Sequence, residues 1–353
     1  MPRRNKKKYY NIAPLLKTKA QYMILLGMRA NGKSYQAKLT VLQDAWDKDE
    51  KFVYLRRWRE DVKMAAVETY FGDIDVEKIT GGEYNGVVAY QGFLYWGKFD
   101  EAGKATRGKR IGRYCALNEA QRYKSQTFVN YKTIIYEEFI TDEVYLADEP
   151  TKLQQFVSTV ARLEEIRILL IGNTMSRVCP YFREWSLQGT LRQKPGTIEI
   201  YHMQYDKSVV DIAVENCEVL ERENTLFFGN AAKQIISGEW DVKESPRLPK
   251  RKDMYDECYR LDIKFSLLMF HVSLLIDDNG DCLLYIFPGK KHEKDARIIT
   301  DDFHPSPNVS RHLRPGSRAE CKMVECFRQN KVCYSDNLTA ADFNNVNKQY
   351  KIF

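Results

Sequence analysis

No stretch of this 353-residue chain is apolar for long enough to cross a membrane, and its N-terminus carries no apolar h-region. A membrane-spanning or secreted protein is therefore not expected. The eight cysteines, at 115, 179, 217, 258, 282, 321, 326 and 333, never form a CxxC pair. In a chain of this size that spacing reads as reduced thiols in a cytosolic compartment. The five histidines are scattered, which argues against a zinc site. What remains is ordinary for a globular protein able to bury a core: 44% apolar and 29% charged residues. The net charge of +7, from 55 basic and 48 acidic residues, is compatible with a polyanionic partner without demanding one.

The stretch Gly27-Met28-Arg29-Ala30-Asn31-Gly32-Lys33-Ser34 fills the G-x-x-x-x-G-K-[ST] pattern in full. Gln21–Leu26 before it suits a buried parallel strand. Tyr35, Leu39, Leu42 and Trp46 after it recur at helical spacing, so a helix should start at about Lys33. Two glycines allow a tight turn that aims backbone N–H groups at phosphate oxygens, and the helix N-terminus adds positive potential. Lys33 can then reach the β- and γ-phosphates, and the Ser34 hydroxyl can ligate Mg²⁺. The chain is expected to bind a nucleoside triphosphate. With no N-K-x-D guanine-reading motif, ATP is favoured over GTP.

Other segments fall around this loop. Pro2–Lys8 holds five basic residues and no acid, as a solvated tail or a nucleic-acid contact would. Lys51–Arg57 reads as a second strand whose terminal arginines could clamp a polyphosphate or serve a salt-bridged strand end. Val87–Tyr90 and Phe93–Trp96 form a hairpin pattern. Gly103–Arg113, with Lys104, Arg107, Lys109, Arg110 and Arg113 and no acid, reads as a flexible loop, either solvated or drawn to a phosphate backbone. Lys132–Phe139 runs apolar residues into Glu137-Glu138. Strand alternation sends these carboxylates to different sides, so one can hold the shell of Mg²⁺ while the other orients the attacking water.

Leu153, Phe156, Val157 and Val160 mark a helix after Pro150, with Arg162 off its apolar face. The next strand, Arg167–Ile171, ends at Gly172-Asn173. Asn173 there can sense a γ-phosphate or cap the loop. Thr197–Met203 supplies a fifth strand, and the alternation gives a parallel sheet with helices on both faces. Residues 206–252 loosen into short helical pieces and a Lys250-Arg251-Lys252 run, as a linker module. Ser266–Ile276, Asp277-Asp278-Asn279-Gly280 and Asp281–Phe287 form a hairpin that opens a C-terminal domain.

These motifs resemble the DNA-packaging (encapsidation) ATPases of small podoviruses, relatives of terminase large subunits. The resemblance rests on the arginine-bearing phosphate loop at 27–34, on Tyr54-Leu55-Arg56-Arg57-Trp58 and on Tyr123-Lys124-Ser125. It continues through Glu138-Phe139-Ile140, Thr159-Val160-Ala161-Arg162 and Gly172-Asn173, covering roughly residues 20–205. It implies an α/β fold: a P-loop NTPase of the additional-strand, catalytic-glutamate type at 1–205, the linker at 206–252, and a small α+β RNase H-like domain at 253–353 that has lost its metal-binding carboxylates. It implies that Lys33 and Ser34 hold ATP and Mg²⁺, that Glu138 is catalytic, that Arg162 is an arginine finger acting on a neighbour's ATP, and that Lys124 is a second interface cation. Glu137 stands where the family usually has Asp. The resemblance further implies an ATP hydrolase that drives double-stranded DNA into a prohead as a homo-pentameric ring on the portal, with a structural RNA in some members, in the host cytoplasm. The alternatives are a terminase-type ATPase whose C-terminal domain still cuts DNA, using carboxylates drawn from Asp262, Asp277, Asp281, Asp336 and Asp342, and a nucleotide-dependent assembly scaffold without sustained turnover.

Overall fold

In the computed structural model the described residues are 10–28, 31–162, 164–174, 176–218, 244–265, 267–292, 296–302 and 308–353. The basic tail, Arg29 and Ala30 of the phosphate loop, and 219–243 of the expected linker lie outside them. The chain divides into two compact units, one from Met1–Ile140, Leu146–Thr174 and Gly189–Glu239, the other from Thr141–Tyr145, Met175–Gln188 and Trp240–Phe353. The fold is mixed α/β, with a largely parallel sheet in the first unit.

In the first unit, α1 (Ala13–Lys17) precedes β1 (Tyr22–Leu26) and α2 (Lys33–Asp47), and β2 (Lys51–Arg56) follows. Two short helices, α3 (Met64–Phe71) and α4 (Val76–Thr80), lead to β3 (Gly86–Tyr90), β4 (Phe93–Phe99) and β5 (Ala105–Ala116). Next come β6 (Tyr131–Glu137), α5 (Glu149–Ala161), β7 (Arg167–Ile171), β8 (Thr197–Tyr205) and β9 (Ser208–Asn216). The sheet order is β3-β4-β5-β2-β6-β7-β1-β9-β8. The six strands from β5 to β9 are parallel, and β3, β4 and β8 are antiparallel additions at the two edges. Apolar β-branched and aromatic runs buried on both sides suit such a centre. On α2 the buried face is Ala37, Val41, Leu42 and Ala45, and Tyr35 lies exposed outside it. This face packs on the side of the sheet that carries Met23, Leu25, Tyr54, Ile135 and Leu169. On the opposite side Tyr136 of β6 reaches Glu149 of α5, whose buried residues include the expected Leu153, Phe156 and Val160.

Two expectations are corrected. Gly103–Arg113 is not a flexible loop, because most of it is strand β5. Gly112 serves close approach: a Cβ there would come within 2.5 Å of the Phe52 carbonyl oxygen of β2. Its cations are occupied as well. Arg107 lies 3.9 Å over the Tyr90 ring, Arg110 lies 4.1 Å over Phe93, and Lys109 pairs with Asp49 at 2.7 Å. The expected linker does not begin at 206 either, since 208–216 is β9, paired in parallel with β1. Of the two readings left open for the strand-end arginines, Arg57 takes the salt-bridged one: it is buried against Glu149.

The second unit holds α6 (Pro180–Glu184), β10 (Asp256–Phe265), β11 (Leu268–Ile276), β12 (Cys282–Pro288), β13 (Arg297–Thr300) and β14 (Val309–Ser310). It ends with α7 (Arg318–Arg328), β15 (Val332–Tyr334) and α8 (Asn337–Tyr350). Its sheet order is β14-β13-β10-β11-β12-β15, antiparallel from β10 to β12 and parallel at both margins. The expected hairpin is β11–β12, but it does not open the unit, because β10 precedes it and pairs with β11. Among the described residues no helix is long and apolar enough to cross a membrane.

Candidate nucleotide site

The phosphate loop leaves the C-terminal end of β1, and α2 begins at Lys33, with Gly32 in a left-handed conformation immediately before it. Gly27 (φ 147°) and Gly32 (φ 99°) adopt backbone angles that side chains disfavour. Residues far away in sequence hold the loop. The Tyr10 N–H donates to the Asn31 carbonyl (3.3 Å), and the Cys217 N–H of the β9 end donates to Leu26 (2.8 Å). A Cβ on Gly27 would lie 3.2 Å from the Cβ of Cys217. Burial pushes the Cys217 thiol up to about 12, so it sits here as a neutral packing group. The Tyr10 hydroxyl donates to Glu215 at 2.6 Å.

Lys33 is 3% exposed, and its Nζ donates to the carbonyls of Gly27 (3.1 Å) and Met28 (2.7 Å) and to the side-chain oxygens of Asn31 (3.3 Å) and Asn173 (3.4 Å). Burial draws its ammonium down to about 8. The site therefore contains a cation short of negative partners. Beside it, strand alternation turns Glu137 onto the α2 side of the sheet, where the Ser34 hydroxyl bonds its carboxylate. The Tyr70 hydroxyl of α3 also donates to Glu137, at 2.7 Å. Burial raises the Glu137 carboxyl against these two donors.

Glu138 follows β6 with φ 55°, a left-handed conformation uncommon for a residue with a side chain. It lines the same cleft of about 350 Å³ as Asn31, Gly32, Lys33, Ser34, Glu137 and Asn173. Its carboxylate accepts from Arg56 Nη2 at 2.5 Å and is 57% exposed. Tyr35, Lys38 and Asp73 complete the wall, with Lys38 paired to Asp73 and donating to the Tyr70 carbonyl (2.6 Å).

Of the residues expected at the site from sequence, Gly27, Met28, Asn31, Gly32, Lys33, Ser34, Glu137, Glu138 and Asn173 are brought to one place. Arg162 and Lys124 are not among the cleft-lining residues. Arg162 caps α5 with φ 52°, exposed, and its Nη2 donates to the Gln126 carbonyl at 3.3 Å. Lys124, two residues from Gln126 in sequence, is also exposed. Tyr70, Lys38, Asp73, Tyr10 and Cys217 carry no motif, and only the folded chain puts them near the loop.

Residues 4–238 match the family described as podovirus DNA encapsidation protein (Gp16). The DNA packaging proteins of Bacillus phages PZA and phi29 are each 27% identical over 227 residues, 63% of this chain. The match spans 61% of the length of those relatives. Two solved structures share the fold. The bacteriophage Phi-29 viral genome packaging motor assembly matches at 20% identity and TM-score 0.54, covering 96% of this chain and 97% of that one. The Phi-28 gp11 DNA packaging motor matches at 15% identity and TM-score 0.51, covering 99% of each chain.

Proposed function

This chain belongs to the podovirus DNA encapsidation protein (Gp16) family, and we propose from that premise that it hydrolyses ATP to drive double-stranded DNA into a viral prohead. The observation that carries the reading is the convergence of Lys33, Ser34, Glu137, Glu138 and Asn173 on one cleft at the end of a parallel sheet. Lys33 exchanges its loop carbonyls for phosphate oxygens, which restore the negative charge its buried ammonium lacks. Ser34 and Glu137 offer a hard, oxygen-only donor pair in mutual contact, which fits Mg²⁺. Bound there, Mg²⁺ would neutralise charge that develops on the phosphoryl oxygens. Glu138 orients the attacking water and accepts its proton, and Asn173, after the neighbouring strand β7, reads the γ-phosphate.

Arg162 and Lys124, both exposed and outside the cleft lining, support action on the ATP of a neighbouring subunit in a homo-pentameric ring. The partners in this reading are the DNA, the portal of the prohead and a structural RNA. In the second unit the antiparallel run β12-β11-β10, continued in parallel by β13 and β14, supports the RNase H-like reading. Four of its five candidate carboxylates have separate structural duties. Asp262 accepts from His271 and His292 (both 2.6 Å), and Asp277 caps its turn at Asn279 and Asp281. Asp336 caps α8 at Thr339, and Asp342 pairs with Arg177 at 3.0 Å. These duties favour a domain that does not cut.

The test is steady-state ATP hydrolysis by the full chain with and without linear duplex DNA, followed by packaging into proheads. Turnover accelerated by DNA is expected. Tight nucleotide binding without sustained turnover would point to an assembly scaffold, and Mn²⁺-dependent DNA cleavage would restore the nuclease alternative.

A further inference from the structure

Arg107, Arg110 and Arg113 of β5 stand three residues apart. Side chains alternate along an uninterrupted strand, so the middle arginine of such a set would point away from the other two. The pairing of β5 with β4 shifts register twice, between Leu94 and Tyr95 and between Tyr95 and Gly97. Each shift returns the next arginine to the same face, which is how a bulge re-aims a side chain. Arg113 is then paired with Phe93, Arg110 with Tyr95 and Arg107 with Gly97. The other face of the β3-β4-β5 ribbon supplies Val87, Leu94, Trp96 and Ile111 to the core. The arginine face is the outer one, with Tyr90, Arg107 and Arg110 exposed on it.

There the guanidinium groups lie over aromatic rings. Arg107 is 3.9 Å from the Tyr90 centroid and Arg110 is 4.1 Å from that of Phe93. Arg113, only 9% exposed, lies 4.7 Å from Phe93 and 4.9 Å from Phe128. Among the described residues none of the three pairs with a carboxylate, and the buried Arg113 Nε has no acceptor. Lys109, between them in sequence, is paired with Asp49 instead. Three positive charges are thus met by ring quadrupoles alone. The N–H edges and outer planes of Arg107 and Arg110 stay open to solvent.

We propose that this face binds single-stranded nucleic acid, with unpaired bases stacked on Arg107, Arg110 and Tyr90 and phosphates held by the arginine N–H edges. The partner must be anionic, because the arginine charge has no acid to meet it. It must also offer flat π surface, because arginines held on rings present planes in fixed positions rather than mobile point charges. Unpaired bases joined by phosphates satisfy both demands. A duplex keeps its base faces inside its own stack and could use only the charge. This ligand is distinct from the duplex of the proposed function, and its binding needs no residue of the nucleotide cleft.

The experiment is fluorescence anisotropy of the full chain with a labelled oligothymidylate, an abasic strand of the same length and a blunt duplex. The parent should prefer oligothymidylate to the abasic strand by about fivefold or more, the least that one stacked base is worth. Arg107→Gln combined with Arg110→Gln should remove most of that preference and change duplex affinity less. Arg107→Lys keeps the charge and loses the plane, so it should weaken oligothymidylate binding without flattening its salt dependence. This milder change gives the same readout should the double substitution disturb folding. Lys109→Gln removes an equal charge away from the rings and should leave the preference intact. An abasic strand bound as tightly as oligothymidylate overturns the proposal, as does a preference that survives the double substitution. Equal losses for single strand and duplex overturn it in favour of a plain phosphate surface. Polyglutamate that displaces the label as readily as unlabelled oligothymidylate overturns it in favour of an acidic protein partner.

Discussion

Arg57 grips Glu149 through two parallel contacts, Nε to Oε2 at 2.8 Å and Nη2 to Oε1 at 3.1 Å, with the side chains 6% and 0% exposed. The Tyr136 hydroxyl (2.7 Å) and the Leu146 N–H (2.9 Å) complete the carboxylate, and Arg57 also donates to the carbonyls of Glu138 and Phe139. The pair fixes the backbone from which Glu138 projects. Removing one member of such a pair leaves a buried charge uncompensated, at a cost of about 3–5 kcal/mol. Glu149→Ala should lower the urea midpoint accordingly. Arg56→Ala, which breaks a part-exposed pair, should cost less than ~1 kcal/mol. Equal losses would contradict the division of roles between the two arginines.

Glu138→Gln should leave ATP affinity intact and slow hydrolysis by ~10²–10⁴-fold, the usual worth of a positioned general base. Glu137→Gln should instead raise the Mg²⁺ concentration needed for half-maximal activity. Both can be read from Mg²⁺ titrations of the steady-state rate. If the two variants behave identically, the carboxylates do not divide the work.

Lys33 imposes a pH dependence whose sign follows from its burial. Its ammonium is drawn from 10.5 to about 8 on folding, so the unfolded chain binds more protons between those values. The penalty for the buried charge is fully present below about pH 8 and is relieved as pH rises toward 10.5. ATP reverses it, because phosphate charge favours protonated Lys33. Near pH 8–9 binding should therefore take up a proton and weaken with rising pH. Calorimetry in buffers of different ionisation enthalpy would measure that uptake, and Lys33→Ala should abolish it.

Arg162 bonds one carbonyl from an exposed position. Arg162→Ala should change stability by less than ~0.5 kcal/mol, as surface substitutions do. As an arginine finger it is worth ~10³–10⁵ in rate, so hydrolysis by assembled rings should stop while ATP still binds. Mixing Arg162→Ala with Lys33→Ala subunits should restore part of the activity, since some intact phosphate sites then face an intact Arg162. Near-normal turnover by Arg162→Ala rings would return this arginine to a surface role.

Gly112→Ala tests strand β5. The added methyl would lie 2.5 Å from the Phe52 carbonyl oxygen, a backbone atom without freedom to move aside. A loss of about 1–3 kcal/mol in thermal or urea unfolding is expected, the usual cost of overpacking. In a flexible loop the same change would be harmless.

The sequence by itself determined the phosphate loop, its strand and helix, and the acidic pair at the end of β6. These features are local: a glycine pattern, a 3.6-residue period and an apolar run each fix conformation within about fifteen residues. Only the tertiary structure decided the rest, because each remaining feature depends on a partner distant in sequence. Arg57 is structural because Glu149, 92 positions away, is buried beside it. Gly103–Arg113 has the composition of a loop, yet it becomes strand because β2 and β4 offer it hydrogen bonds, and Tyr90 of β3 and Phe93 of β4 offer aromatic faces for its cations. Strand β9 was hidden for the same reason: its place beside β1 is set by pairing across some 190 residues, which no local period records. The partner of Glu138 was the least legible of all. An exposed acid and a strand-end arginine are common in any chain, and only the parallel pairing of β2 with β6 brings these two together.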